Sequence, residues 1–73
     1  MIYKYYTVMR PVSIGAVPEE NMKGFKSYKN RKFDPDACRE VWGEVYYTEP
    51  LKDWEIEEYE LLEGGTVDAE SVL

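Results

Sequence analysis

The sequence predicts an α+β domain: a small three-stranded, mainly antiparallel sheet with one short C-terminal helix packed on one face. Three observations carry that prediction. Val41-Trp42-Gly43-Glu44-Val45-Tyr46-Tyr47 is a run of β-branched and aromatic residues, which suit a pleated, half-buried surface. Ile2 to Met9 has similar residue types and lacks Ala, Leu and Glu, which argues against a helix. Beyond Pro50 the pattern changes, with Ile56, Tyr59 and Leu62 recurring at a spacing of three among glutamates.

The first strand is placed over residues 2–9 and ends at Arg10-Pro11, since proline has no N–H to give to a ladder. Residues 12–18 read as a loop anchored by Val12, Ile14 and Val17. The second strand is placed over residues 25–29, inside the basic and aromatic stretch Lys23 to Phe33. Asp34-Pro35 is a turn and capping signal, because Asp34 can accept from exposed amides and Pro35 suits a first helical position. The third strand occupies residues 40–48. In extended chain Val41, Gly43, Val45 and Tyr47 share one face, and Trp42, Glu44, Tyr46 and Thr48 the other. Gly43 in mid-strand signals a bulge or a close approach by a neighbour. Residues 51–62 fit both a strand and a helix. Early glutamates suit the positive end of a helix dipole, which favours a helix over 52–58 followed by extended Glu60 to Leu62. Gly64-Gly65 is read as a break, giving one globular domain over residues 1–63 and a flexible tail over 64–73. The expected core is Tyr6, Val8, Val17, Phe25, Trp42, Val45, Tyr47, Trp54, Ile56 and Tyr59.

Composition narrows the chemistry. The 73 residues include no histidine, which removes the usual general base and the commonest metal ligand. Cys38 is the only cysteine, so no disulfide forms within the chain, and a free thiol fits a reducing cytoplasm. No apolar run reaches membrane-spanning length, and the N-terminal residues lack the apolar core of a signal peptide. Asp34, Asp36 and Glu40 do not match calcium-loop spacing, so neither metal nor cofactor is expected. Cys38 next to Arg39 has no histidine partner, so nucleophilic catalysis has no base and the chain reads as non-enzymatic.

The net charge of −6 hides a split: residues 1–40 hold eight basic and five acidic side chains, and residues 41–73 one basic and ten acidic. Three interaction readings follow. Tyr3, Tyr5, Tyr28 and Tyr46 form a candidate protein-binding patch on whichever sheet face the helix leaves open, since tyrosine suits interfaces. Glu49, Glu55, Glu57, Glu58, Glu60 and Glu63 are candidate phosphate mimics that would occupy a DNA-binding enzyme's groove; the plainer reading is a solvated acidic face. Lys26, Lys29, Arg31 and Lys32, interleaved with Phe25, Tyr28 and Phe33, have the composition of a single-stranded nucleic-acid binder. Against this stands the net negative charge; the plainer reading has the basic strand beside the acidic helix, the two screening each other, and the sequence leaves open which holds. A protein partner is the leading expectation.

Several blocks carry a family resemblance. Arg10-Pro11-Val12-Ser13-Ile14-Gly15-Ala16-Val17-Pro18 resembles the RPV-IGTFP block of small proteins on conjugative and phage-like elements of Gram-positive bacteria. Phe33-Asp34, Val41 to Tyr47, Pro50-Leu51 and Tyr59-Glu60-Leu61 follow in the order of that family's FD, AWGYLEY, PL and YEL blocks. The family is described as defence against restriction protein A-related, or as a domain associated with large polyvalent proteins. The basic run Lys23 to Lys32 and the acidic density after Pro50 are heavier here than in that pattern. The resemblance implies an accessory role linked to anti-restriction on a mobile element, with no catalytic residues.

Overall fold

A computed structural model describes residues 1–13 and 15–68. Four strands and one helix follow in the order β1 (Ile2–Thr7), β2 (Met22–Asp34), β3 (Arg39–Tyr47), α1 (Asp53–Glu58) and β4 (Leu61–Val67). The strands form one antiparallel sheet in the order β2-β3-β1-β4, so β3 and β1 are central and β2 and β4 are the edges.

The sheet corrects the expected three strands to four. Leu61 to Val67 pairs along the outer side of β1, from Thr7 opposite Leu61 to Ile2 opposite Val67. Gly64-Gly65 is therefore a bulge inside β4 and not its end. Between Tyr3 and Tyr5 the register slips by one residue, and Gly65, at φ 81°, supplies the left-handed backbone that such a bulge needs. Gly64 lets the strand lie against Tyr6 and the Lys4 stem, where a Cβ would fall 2.8 and 2.9 Å from side-chain carbons. The tail expected from residue 64 is thus strand as far as Val67, and residues 69–73 lie outside the described part. Ile14, expected as a loop anchor, also lies outside it.

The apolar layer lies on one face of the sheet. Tyr5, Val17, Val45, Tyr47 and Leu61 form its buried centre, with Tyr3, Val12, Met22, Leu51, Ile56 and Tyr59 packed around them. Tyr5 and Tyr47 meet edge-to-face with centroids 5.8 Å apart. Each hydroxyl is used: Tyr47 donates to the Pro18 carbonyl at 2.6 Å, and Tyr5 accepts from the Leu51 amide at 2.9 Å. The first bond fixes the loop between β1 and β2, and the second fixes the segment leading into α1. Tyr6, Val17, Val45 and Tyr47 are buried as expected, while Val8, Trp42, Ile56 and Tyr59 are half-buried. Phe25 and Trp54, both expected in the core, are 58% and 60% exposed. Phe25 lies on the outermost strand, and α1 packs beside β4, too far across the sheet to cover it. Tyr5, Ile2, Ala16, Val41, Tyr46 and Leu61 fill the core instead.

The helix begins one residue later than expected, with Lys52 as its N-cap. Glu55 reaches back to accept from the Lys52 amide at 2.9 Å, satisfying one donor that a helix start exposes. Asp34 caps as its sequence context predicts, accepting from the amides of Asp36 at 2.8 Å and Ala37 at 3.1 Å. Chain reversal into β3 then uses Cys38 at φ 57°.

Gly43 meets the backbone of β2. A Cβ there would collide with the Lys26 carbonyl oxygen and come within 2.8 Å of a Val12 methyl. The neighbour inferred from the sequence is therefore the main chain of β2. Gly43→Ala should cost at least about 2 kcal/mol, since overpacking against backbone cannot relax by a rotamer change. Ser27→Ala, at the opposing exposed position, should stay within about 0.5 kcal/mol of the parent. Urea denaturation of both variants checks this.

Candidate functional site

The most irregular element is β2, and its irregularity builds the surface of interest. Ser27 pairs with Gly43 and Lys32 with Val41, so five steps on β2 oppose two on β3. Tyr28 to Arg31 thus stand against the single residue Trp42, a surplus of three residues that bulges out of the ladder. Tyr28 swings to the face opposite the apolar layer, where its hydroxyl donates to Glu44 Oε2 at 2.6 Å. Tyr46 donates to Glu44 Oε1 at 3.2 Å, and the Lys4 ammonium sits 3.6 Å from the same oxygen. Glu44, mid-way along the central strand, is thus a buried carboxylate with three partners on three strands. Such a group is tolerable in a core only when its lone pairs are occupied.

The bulge turns its cations outward. Lys23, Lys26, Lys29, Arg31 and Lys32 are all exposed, and the ion pairs among the described residues, Lys4–Glu44 and Arg10–Glu60, use none of them. Arg31 lies over the Trp42 ring at 5.8 Å and Lys32 over the Tyr28 ring at 5.5 Å, within cation–π range. Phe25 and Phe33, on either side of the bulge, are 58% and 56% exposed. Whether this strand is screened by the acidic helix, which the sequence left open, is answered by the sheet order: β2 and β4 are opposite edges and α1 packs beside β4. At the start of β2 an apolar groove of about 230 Å³ opens between Val12, Val17, Met22 and Phe25, with Ser13 and Glu19 at its rim. Sequence reasoning missed this groove, since its walls come from the loop and from β2. It also missed the Glu44 hub, although a lone acid in an apolar run was a signal.

The four candidate tyrosines do not form a patch. Tyr5 and Tyr46 are buried, and Tyr3 and Tyr28 are half-buried. Tyr3 and Tyr5 face the apolar layer, whereas Tyr28 and Tyr46 converge on Glu44 from the other side. A small core short of aliphatic residues consumes its tyrosines internally, which is why their number misleads. Of the candidate phosphate mimics, Glu49, Glu57, Glu58, Glu60 and Glu63 are exposed and Glu55 is half-buried. Two already have partners, Glu55 on the Lys52 amide and Glu60 on Arg10. Cys38 is exposed on the β2–β3 turn, with Sγ 3.3 Å from the Pro35 carbonyl. Among the described residues, no three acids or thiols group as a metal site, and no helix is long and apolar enough to cross a membrane.

A family model described as defence against restriction A C-terminal matches residues 1–65. The chain belongs to this family. The match covers every strand except the end of β4, so the β2 bulge and the Glu44 hub lie within the family's span. Comparisons with curated proteins and with solved structures give no significant match. The family's description supports an accessory role related to anti-restriction for this member.

The hub has a pH signature. Burial first, and then the Glu44 charge, push the Tyr46 phenol from 10.0 up to about 12. Tyr28 is raised too, by burial and by its hydrogen bond to Glu44. A phenol whose pKa is higher folded than unfolded holds its proton more tightly when folded. Its contribution is therefore complete below the unfolded value and is lost as pH climbs through the folded one. Denaturation midpoints should hold until about pH 10 and fall toward pH 12, the interval between the ordinary phenol value and the raised value of Tyr46. Tyr46→Phe should flatten part of that fall. At neutral pH, Tyr28→Phe should cost about 1.5–3 kcal/mol, the range for a hydrogen bond to a charged group, and should not add to Glu44→Gln in a double-mutant cycle.

Proposed function

We propose that this family member is a non-enzymatic protein-interaction module of an anti-restriction system on a mobile genetic element, working in the cytoplasm through the β2 edge. One observation carries the reading. A 13-residue edge strand presents five cations free of ion pairs among the described residues, with exposed Phe25 beside an apolar groove and exposed Phe33 at the strand's far end. Lysines on an edge also discourage indiscriminate strand pairing, so the edge is selective for a partner that brings negative charge. Aromatic anchors supply the contact area that charges at a rim do not. The tyrosine patch has no part in this reading, because Tyr5 and Tyr46 are buried and the four side chains divide between the two faces of the sheet.

The same strand supports a second reading, binding of single-stranded nucleic acid through Lys26, Lys29, Arg31 and Lys32. What favours it is cations lying over Trp42 and Tyr28, with further aromatic faces open at Phe25 and Phe33.

Cross-linking of the tagged chain in host extract, compared with a Lys26→Glu/Lys29→Glu/Lys32→Glu variant, tests the first reading. A protein partner captured by the parent and lost in the variant is expected; equal capture by both would move the interaction off β2. For the second reading, titration of a fluorescent oligonucleotide should show affinity falling steeply with salt. An affinity insensitive to salt, or none at low salt, would remove nucleic acid as a ligand.

A further inference from the structure

We infer that the outer edge of β2 takes up an extended segment of a protein partner as an added strand, one whose side chains alternate between apolar and acidic. The inference rests on the protein-interaction reading above and names how the partner is held and what it carries. β2 is an edge strand, and among the described residues no backbone hydrogen bond leaves residues 23–33 for any element but β3. Successive residues of a strand turn their amides and carbonyls to alternate sides, so half of those on an edge strand point away from its neighbour. They are the template on which a peptide strand adds. The regular stretch is short. Gly24 to Ser27 pairs with Tyr46 to Gly43 without interruption, between the irregularity after Met22 and the bulge that begins at Tyr28.

The two faces of this stretch call for different side chains. Phe25 stands opposite Val45 and so on the face of the apolar layer, where it walls the groove formed with Val12, Val17 and Met22. That groove holds no cation and carries Glu19 at its rim, so it accepts an apolar side chain and rejects an acidic one. Its volume of about 230 Å³ lies below the roughly 300–1,000 Å³ of small-molecule pockets, the scale of a single side chain. Lys26 stands opposite Glu44 and so on the other face. Glu44 does not neutralise it, being occupied by Lys4, Tyr28 and Tyr46. Lys26 is exposed and outside the ion pairs of the described residues, as are Lys23 and Lys29 to either side of it in the chain. An added strand places its own side chains alternately on the same two faces. Every second residue therefore meets the groove, and those between meet the Lys26 side. Opposite charges on neighbouring strands attract and like charges repel, so the lysines turn away basic strands, β2 of another copy included, and admit an acidic one.

Fluorescence anisotropy of a labelled peptide of alternating valine and glutamate, titrated with the full chain up to millimolar concentration, tests this. Saturable binding is expected, and should be weaker by about tenfold or more when lysine replaces glutamate in the peptide. Lys26→Glu, which exchanges an attraction for a repulsion, should weaken binding about tenfold. Phe25→Ser, at a position 58% exposed, should weaken it by removing a wall of the groove. Circular dichroism verifies that both variants are folded. Successive amides point to opposite edges of the peptide, so methylating the amide of every valine blocks one edge and of every glutamate the other. One of these two peptides should keep its affinity and the other lose it. No binding of the unmethylated peptide, equal affinity of the two methylated forms, or binding that ignores Lys26→Glu overturns the proposal. If the peptide does not bind and the β2 lysines still capture a host protein, strand addition is wrong and the interaction reading stands. If the peptide does not bind and those lysines capture only an oligonucleotide, nucleic acid occupies the edge and both fail.

Discussion

The fold depends on two tyrosines that behave as core residues. Tyr5 and Tyr47 lie side by side on adjacent central strands and fill the middle of the apolar layer. A buried phenol must find a hydrogen-bond partner or forfeit much of what its ring contributes. Both find theirs in loop backbone, at Pro18 and Leu51. The sheet thereby dictates where the long β1–β2 loop and the approach to α1 must lie. In a chain this short, which buries only about 60% of its unfolded surface, one interaction has to serve both packing and loop placement.

The opposite face is held by different means. Glu44 sits where an apolar residue would ordinarily be, and Lys4, Tyr28 and Tyr46 surround its carboxylate. Tyr28 can reach it only because β2 leaves the ladder after Ser27. The same departure turns Lys29 to Lys32 outward. A packing requirement on one side of the strand thus shapes the charged surface on the other, linking the buried hub to the candidate interface through a single bulge.

Charge is separated by the strand order. Placing β2 and β4 at opposite edges keeps the basic strand away from the acidic helix, so neither is neutralised internally. A chain of net charge −6 therefore carries a basic edge that an average over its residues conceals. Affiliation with the defence against restriction A C-terminal family sets this edge in an anti-restriction context.

Local chemistry alone determined much of the protein. The β-branched and aromatic run at Val41 to Tyr47 made β3 legible, Asp34-Pro35 announced the turn, and the glutamates after Pro50 located α1, because each of these depends on neighbours within a few residues. The blocks from Arg10 to Leu61 made the family legible as well. Tertiary structure alone decided the rest. Leu61 to Val67, interrupted by two glycines, has little intrinsic preference for a strand and becomes one by pairing with β1. Tyr5 and Tyr46 read as surface because tyrosine suits interfaces, and they are buried because the Leu51 amide and the Glu44 carboxylate satisfy their hydroxyls. The basic strand stays unneutralised because sheet order, a long-range property, places its opposite charges across the molecule.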